Sequence, residues 1–298
     1  MGFYPINIQV YTYIYEDQKP MEKPTNNPLF KHFRQPAVYL KLPSQGRFYP
    51  DGSLQISITG DIPIYPMTVK DELTLKTPDA LMNGEGMAAV IRSCCPTIID
   101  PWQIPAVDLD AIFIAIRLAS YGTGMDINTN CPECKEANDH TINLTTVLEN
   151  ISAADYTEQP RIDDLIFKFK PQSYKDVNKM NIATFEERRL VNNILDSEIP
   201  DEEKKRLFDE SFAKINDLNV SMLVDCIDSI NVEGKSVSDP AMIREFLDNC
   251  GRQTYTDIKN KIQAMMTHNR VKPVKVSCSA CNHEYETALE FDQANFFA

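Results

Sequence analysis

Apolar and polar residues alternate from the start of the chain. Ile6, Ile8, Val10, Thr12 and Ile14 are separated by Asn7, Gln9, Tyr11, Tyr13 and Tyr15, the period of two that a half-buried strand requires. Residues 16–30 then carry Pro20, Pro24 and Pro28 among polar side chains and read as an extended tether. Val38 to Leu42 predicts a strand, Asp51-Gly52 a turn, and the alternation of Leu54, Ile56 and Ile58 another strand, before a short strand ends at Pro66. Thr68 is an expected helix cap with Asp71 three residues on, and Leu73, Leu81, Met87, Val90 and Ile91 line helices through Cys95. Asp108 is expected to cap a helix to Tyr121. Its apolar residues Leu109, Ile112, Phe113, Ile114, Ile116 and Leu118 nearly encircle it, as in a buried helix.

The second half of the chain has the same grammar. Leu165 to Phe169 predicts a strand ending at Pro171, and Ser173 with Asp176 three residues on is another cap. The spacing predicts helices over 184–196, 203–216, 219–230, 239–249 and 253–267, with Asp239-Pro240 as a start and Gly251 as a stop. The segment from Pro66 to Asp71 aligns with that from Pro171 to Asp176, each after a strand and before helices. We read this as a diverged duplication, α+β in class. On this reading an N-terminal strand and tether over 1–35 precede two halves, 36–150 and 151–298, each ending in a strand–knuckle–strand.

The chemistry lies at those two ends. Cys131-Pro132-Glu133-Cys134 sits between strands expected over 125–130 and 140–147, and Cys278-Ser279-Ala280-Cys281 between strands over 273–277 and 283–291. A zinc knuckle aims two thiolates at one point, and two knuckles complete the tetrahedral shell that Zn²⁺ takes in structural sites. The expectation is one structural zinc per chain on Cys131, Cys134, Cys278 and Cys281, joining the halves. Redox chemistry fits less well, because such a pair opens a helix and none is expected after either pair. A zinc deaminase needs His-x-Glu and a Pro just before its first Cys, whereas Pro132 follows Cys131 and His283 adjoins Glu284. Unmetallated thiols are the remaining reading. Glycine often follows the second cysteine of a knuckle because the backbone turns left-handed there; this chain has Lys135 and Asn282. His140 and His283 are left as ordinary strand residues, and Cys94, Cys95, Cys226 and Cys250 as free thiols in apolar stretches.

Composition narrows the function. The 298 residues are 43% hydrophobic and 24% charged, enough for a normal core, and the net charge of −13 without a basic stripe argues against nucleic acid. There is no leader pattern, no apolar run of membrane-span length, and Ile6 stands where a myristoylation signal wants Ser or Thr, so a reducing compartment is expected. No phosphate loop, nucleophile elbow or helical His pair points to catalysis or a small-molecule substrate. The acidic cluster Asp196, Glu198, Asp201, Glu202 and Glu203 runs into Lys204, Lys205 and Arg206 and reads as a solvated helix start.

Leu42-Pro43-Ser44, Gly46 and Phe48-Tyr49-Pro50, then Pro66-Met67-Thr68-Val69-Lys70-Asp71-Glu72, resemble the baseplate hub and hub-assembly proteins of T-even-like contractile-tailed bacteriophages. Asn83-Gly84, Ser93-Cys94, Ala119-Ser120-Tyr121-Gly122 and Cys131-Pro132-x-Cys134 continue the resemblance, which spans roughly 36–150 with a weaker echo to the C-terminus. It implies a non-enzymatic structural or assembly protein that contacts other baseplate proteins. It also implies residence in the host cytoplasm during assembly and in the virion afterwards. A host-directed binding adaptor with zinc knuckles is the alternative, and a zinc hydrolase a third reading that would need an open metal position. The N-terminal strand is expected to add to a sheet edge, either on another subunit or in the protein's own first sheet.

Overall fold

The computed structural model describes residues 28–77, 83–196, 199–289 and Phe296. The strand expected over 1–15 lies outside them, as does nearly all of the tether. Contacts divide the chain into Met1–Arg34 and Gln35–Ala298. In the first unit the described residues include a short 3₁₀ turn, Phe30–His32.

The second unit mixes helix and sheet. Strands β1 (Val38–Lys41) and β2 (Asp61–Ile64) pair antiparallel and bury Leu40, Ile62 and Ile64. Helix α1 (Val69–Leu75) opens with a reciprocal capping box between Thr68 and Asp71. Helix α2 (Glu85–Cys94) buries Met87, Val90 and Ile91, then α3 (Ala106–Tyr121) follows. Eight apolar side chains of α3, from Val107 to Ile116, are buried, so it is the axle of the unit. Most join the core under β1, β2 and α2, while Val107 joins a second core around Phe167, Phe169, Leu223 and Ile258.

A hairpin of β3 (Gly124–Asn130) and β4 (Ala137–Asn143) leads to α4 (Leu144–Glu149). A four-stranded antiparallel sheet, in the order β5 (Arg161–Ile162), β6 (Leu165–Phe169), β7 (Ile227–Val232), β8 (Lys235–Val237), carries the second core. Between β6 and β7 stand the long antiparallel neighbours α5 (Tyr174–Asp196) and α6 (Asp201–Cys226). Helices α7 (Pro240–Asn249) and α8 (Arg252–His268) cover the sheet. The last of the described strands form the hairpin β9 (Val274–Ser277) and β10 (Glu284–Thr287), and its Val276 returns to the first core. Among the described residues no helix is long and apolar enough to cross a membrane.

Several expected elements differ. Leu54 to Ile58 makes one isolated bridge, Leu54 to Ile98, and Ile58 is 91% exposed; among the described residues the short alternation has no neighbouring sheet to complete it. Asp108 does not cap α3; Pro105 stands at the cap, and Asp108 is fully buried one turn in. There Asp108 Oδ1 accepts from Ser44 N–H at 2.8 Å, and Oδ2 accepts from Ser44 Oγ at 2.6 Å and Tyr49 Oη at 3.0 Å. The strand expected to reach 147 ends at Asn143, whose side chain caps α4 through the Thr145 N–H at 2.9 Å. Helix α5 starts ten residues earlier than 184, at the Ser173 cap, and 203–216 with 219–225 is one helix. Ile227 to Val232 is strand, because it pairs with β6 on one side and β8 on the other, with β-branched Ile227, Ile230 and Val232 among its residues. The helix expected to reach 230 therefore stops at Cys226.

Candidate metal centre

Both knuckles are built by the same backbone hydrogen bonds. In the first, the Cys131 N–H donates to Glu136 O at 2.9 Å and the Lys135 N–H to Cys131 O at 3.0 Å. In the second, the Cys278 N–H donates to His283 O at 2.9 Å and the Asn282 N–H to Cys278 O at 3.0 Å. Their strand registers correspond as well, Asn130 facing Ala137 and Ser277 facing Glu284. The left-handed turn is present in both, with φ of 63° at Lys135 and 58° at Asn282. Asn tolerates this region through its short polar side chain, whereas Lys carries the steric cost.

The structure brings together all four cysteines singled out in the sequence. Their sulfurs lie within 4.8 Å of one another, with Cys131 Sγ 3.7 Å from Cys281 Sγ and Cys134 Sγ 3.6 Å from Cys278 Sγ. A tetrahedron with metal–sulfur bonds of about 2.3 Å has edges of about 3.8 Å, so the cluster fits a metal ion; a disulfide would need about 2.05 Å. All four thiols are free. Cys131 and Cys278 are buried while Cys134 and Cys281 face solvent, so one edge of the tetrahedron is reachable from outside. Neither His140 nor His283 joins the group. His140 Nε2 lies 3.4 Å from the Tyr285 hydroxyl, and the His283 ring stacks on the Tyr285 ring at 6.3 Å between centroids.

Electrostatics ask for a cation. The Cys281 N–H, helped by the Ala280 N–H, the Cys134 thiol and, last, the Asn138 amide, holds the Cys278 thiol down at about 6 against burial. Although the His283 N–H favours its thiolate, burial and the three neighbouring cysteines push Cys281 up to about 12. Four thiolates at this spacing would repel one another, and a divalent ion at their centre would let all four ionise. Around such an ion four sulfurs would complete a tetrahedral shell.

Sequence patterning missed the groups that hold the two knuckles together. The buried Asn138 accepts from Ser279 N–H and Ser279 Oγ, both at 2.8 Å. Thr129 Oγ1 lies 2.6 Å from the Tyr285 hydroxyl. The usable signal was parity: Asn138 shares its strand face with Ile142, so a polar residue falls on the inward side of β4.

Away from this centre Cys94, Cys95 and Cys226 are buried and Cys250 is half-buried. At the acidic start of α6, Arg206 pairs with Glu203 at 3.7 Å and Glu210 at 3.2 Å, a solvated surface arrangement. No curated protein and no solved structure matches the chain. Residues 37–298, which include both knuckles and both cores, match the family described as T4 bacteriophage base plate protein, and the chain belongs to that family.

Proposed function

We propose that the chain is a structural or assembly protein of the hub of a contractile phage tail baseplate, acting through contacts with other tail proteins and not through catalysis. Family membership over 37–298 carries this reading. The closed sulfur cluster supports it, because a four-thiolate shell suits scaffolding and offers no reactive position. The metal in this reading is zinc, one per chain, held by Cys131, Cys134, Cys278 and Cys281. It closes a ring between the parts of the chain that end in the two knuckles.

The same reading takes 36–150 and 151–298 as diverged copies of one unit, with 1–35 as an arm that reaches a neighbouring subunit. The matched knuckles support the duplication, and so do the matched caps. Thr68 Oγ1 donates to Asp71 Oδ2 at 2.8 Å and Ser173 Oγ to Asp176 Oδ2 at 2.6 Å. Each carboxylate also accepts the backbone N–H of its cap residue, at 2.7 Å and 3.2 Å. The protein would assemble in the host cytoplasm and remain in the virion, without nucleic acid, membrane or small-molecule substrate as partner.

The test is to express a tagged chain during infection, then analyse both its co-purifying proteins and purified tails by mass spectrometry. Tail baseplate proteins should co-purify with it, and the chain should be found in finished tails. A chain that captures host proteins and no tail protein would overturn the reading in favour of a host-directed adaptor.

A further inference from the structure

Besides the cysteines themselves, Asn138 touches both knuckles at the sulfur cluster. It is 3% exposed, and each of its polar atoms is used twice. Its Nδ2 donates to Glu136 O at 2.9 Å, inside its own knuckle, and approaches Cys278 Sγ at 3.5 Å. Its Oδ1 accepts the N–H and the hydroxyl of Ser279, both at 2.8 Å. Only a carboxamide offers two donors and a two-lone-pair acceptor at this reach; a carboxylate accepts and cannot donate.

The arrangement runs one way. In the second knuckle the residue corresponding to Asn138 is Tyr285, and the residue corresponding to Ser279 in the first is Pro132, which has no N–H to give. The bond from Asn138 to the Ser279 N–H thus has no counterpart between Tyr285 and Pro132, and Tyr285 instead meets Thr129 Oγ1 at 2.6 Å. Resting on the metal reading above, we infer that Asn138 is the positioning residue of this centre. It seats Cys278 and the turn around Ser279 against the first knuckle, so that four sulfurs converge before the ion arrives. It also donates to the Cys278 sulfur that the ion would bind. Partners that orient metal ligands in this way typically change affinity by about 10–100-fold.

The test titrates the full-length, reduced, metal-free chain with Co²⁺, following the thiolate-to-cobalt charge-transfer bands and the four-coordinate d–d bands, with Zn²⁺ added in competition. Asn138→Ala should bind about 10–100-fold more weakly. Asn138→Asp keeps the acceptor for Ser279, loses the donor to Cys278 and adds a negative charge. It should therefore weaken binding and also shift the charge-transfer band. Asn128→Ala serves as control, since Asn128 bonds Asp139 at 2.8 Å and is exposed. That variant should bind as wild type does. Should Asn138→Ala fail to fold, Asn138→Asp and Ser279→Ala carry the test with the same expected direction. Wild-type bands with unchanged affinity and spectrum in the Asn138 variants would overturn this inference alone. A wild-type chain that never gives tetrathiolate bands would overturn the metal reading, and this inference with it.

Discussion

Lys135 and Asn282 occupy the same point of the two knuckles: both are left-handed, at φ 63° and 58°, and both donate their N–H to the carbonyl of the knuckle's first cysteine at 3.0 Å. The sequences differ where the backbones agree, so the turn is imposed by the need to aim two cysteines at one point. A left-handed turn costs an ordinary residue about 1–2 kcal/mol, and glycine nothing sterically. Lys135→Gly should therefore stabilise the folded, metal-loaded chain by about 0.5–1 kcal/mol, after the loss of glycine's chain entropy and of the Lys135 Nζ bond to Pro132 O. Asn282→Gly should gain less, since Asn already tolerates the region. Denaturant melts of both variants check the order; equal or reversed gains would contradict it.

Metal removal should be felt across the chain. Purified protein should contain one zinc, and Cys131→Ser and Cys278→Ser should each release it, since three sulfurs leave an incomplete shell. An ion held at a thousand times its Kd stabilises by about 4 kcal/mol, so chelation should lower the melting temperature visibly. Elemental analysis alongside thermal melts provides the check. A metal-free chain with an unchanged melt would mean that no ion stabilises the fold.

Asp108 gives a pH dependence whose sign runs against the usual acid behaviour of carboxylates. Burial raises it from 3.8 to about 6, opposed by its hydrogen bonds from Ser44 and Tyr49. A raised folded-state pKa means the folded chain binds the proton more tightly than the unfolded chain. The associated stability is complete below about pH 4 and lost as pH rises through about 6, on the order of 3 kcal/mol across the window. Other titrations cancel in a comparison with Asp108→Asn. The stability difference between wild type and variant should therefore move in favour of wild type by about 1–2 kcal/mol from pH 7 to pH 5. Urea melts at both pH values test this, and a difference that stays flat would show that Asp108 titrates normally.

The same residue marks the limit of sequence reading. Asp108 ahead of an apolar run has the form of a cap, and its real partners lie at Ser44 and Tyr49, in a loop no local pattern connects to it. The cysteines were legible because two C-x-x-C pairs state their geometry in four residues each. Thr68 and Ser173 were legible for the same reason, since a capping box is closed within three residues. Ile227 to Ile230 was misjudged because a strand inside a sheet is decided by its neighbour β6, and the preceding twenty-six residues are helix. Long-range pairing, rather than propensity, decided these two misses.

Gly84 lies hard against the first turns of α5. It sits at φ 77°, and an added Cβ would lie 2.6 Å from Asn178 Oδ1, on the helix that starts at Tyr174. Asn178 Nδ2 in turn donates to Asn83 O at 2.8 Å, and Tyr174 Oη to Gly84 O at 3.3 Å. Gly84→Ala should destabilise by about 1–3 kcal/mol through both the left-handed backbone and the clash. Combined with Asn178→Ala, the clash disappears while the backbone cost remains, so the double variant should lose less than the sum of the single losses. A double-mutant cycle in denaturant measures this coupling, and strict additivity would place the cost of Gly84→Ala wholly in its backbone.

The seam between α5 and α6 contains a polar knot where leucines would serve a simple helical pair. Glu187 is 9% exposed and Ser211 1%, and Ser211 Oγ donates to Glu187 Oε2 at 2.8 Å while Lys214 Nζ lies 3.3 Å from Oε1. Removing one member strands the other: Glu187→Leu leaves the Ser211 hydroxyl facing an apolar group, at about 1–3 kcal/mol for an unmade buried hydrogen bond. Replacing both together, as Glu187→Leu with Ser211→Ala, removes the desolvated carboxylate and its donor at once and lets the seam pack on apolar atoms. Such double replacement of a buried polar pair is commonly neutral or stabilising. The expected order of stability is thus double variant at or above wild type, with Glu187→Leu alone below both. Thermal melts of the three proteins decide the matter; a double variant less stable than Glu187→Leu alone would mean that the knot contributes net stability to the hairpin.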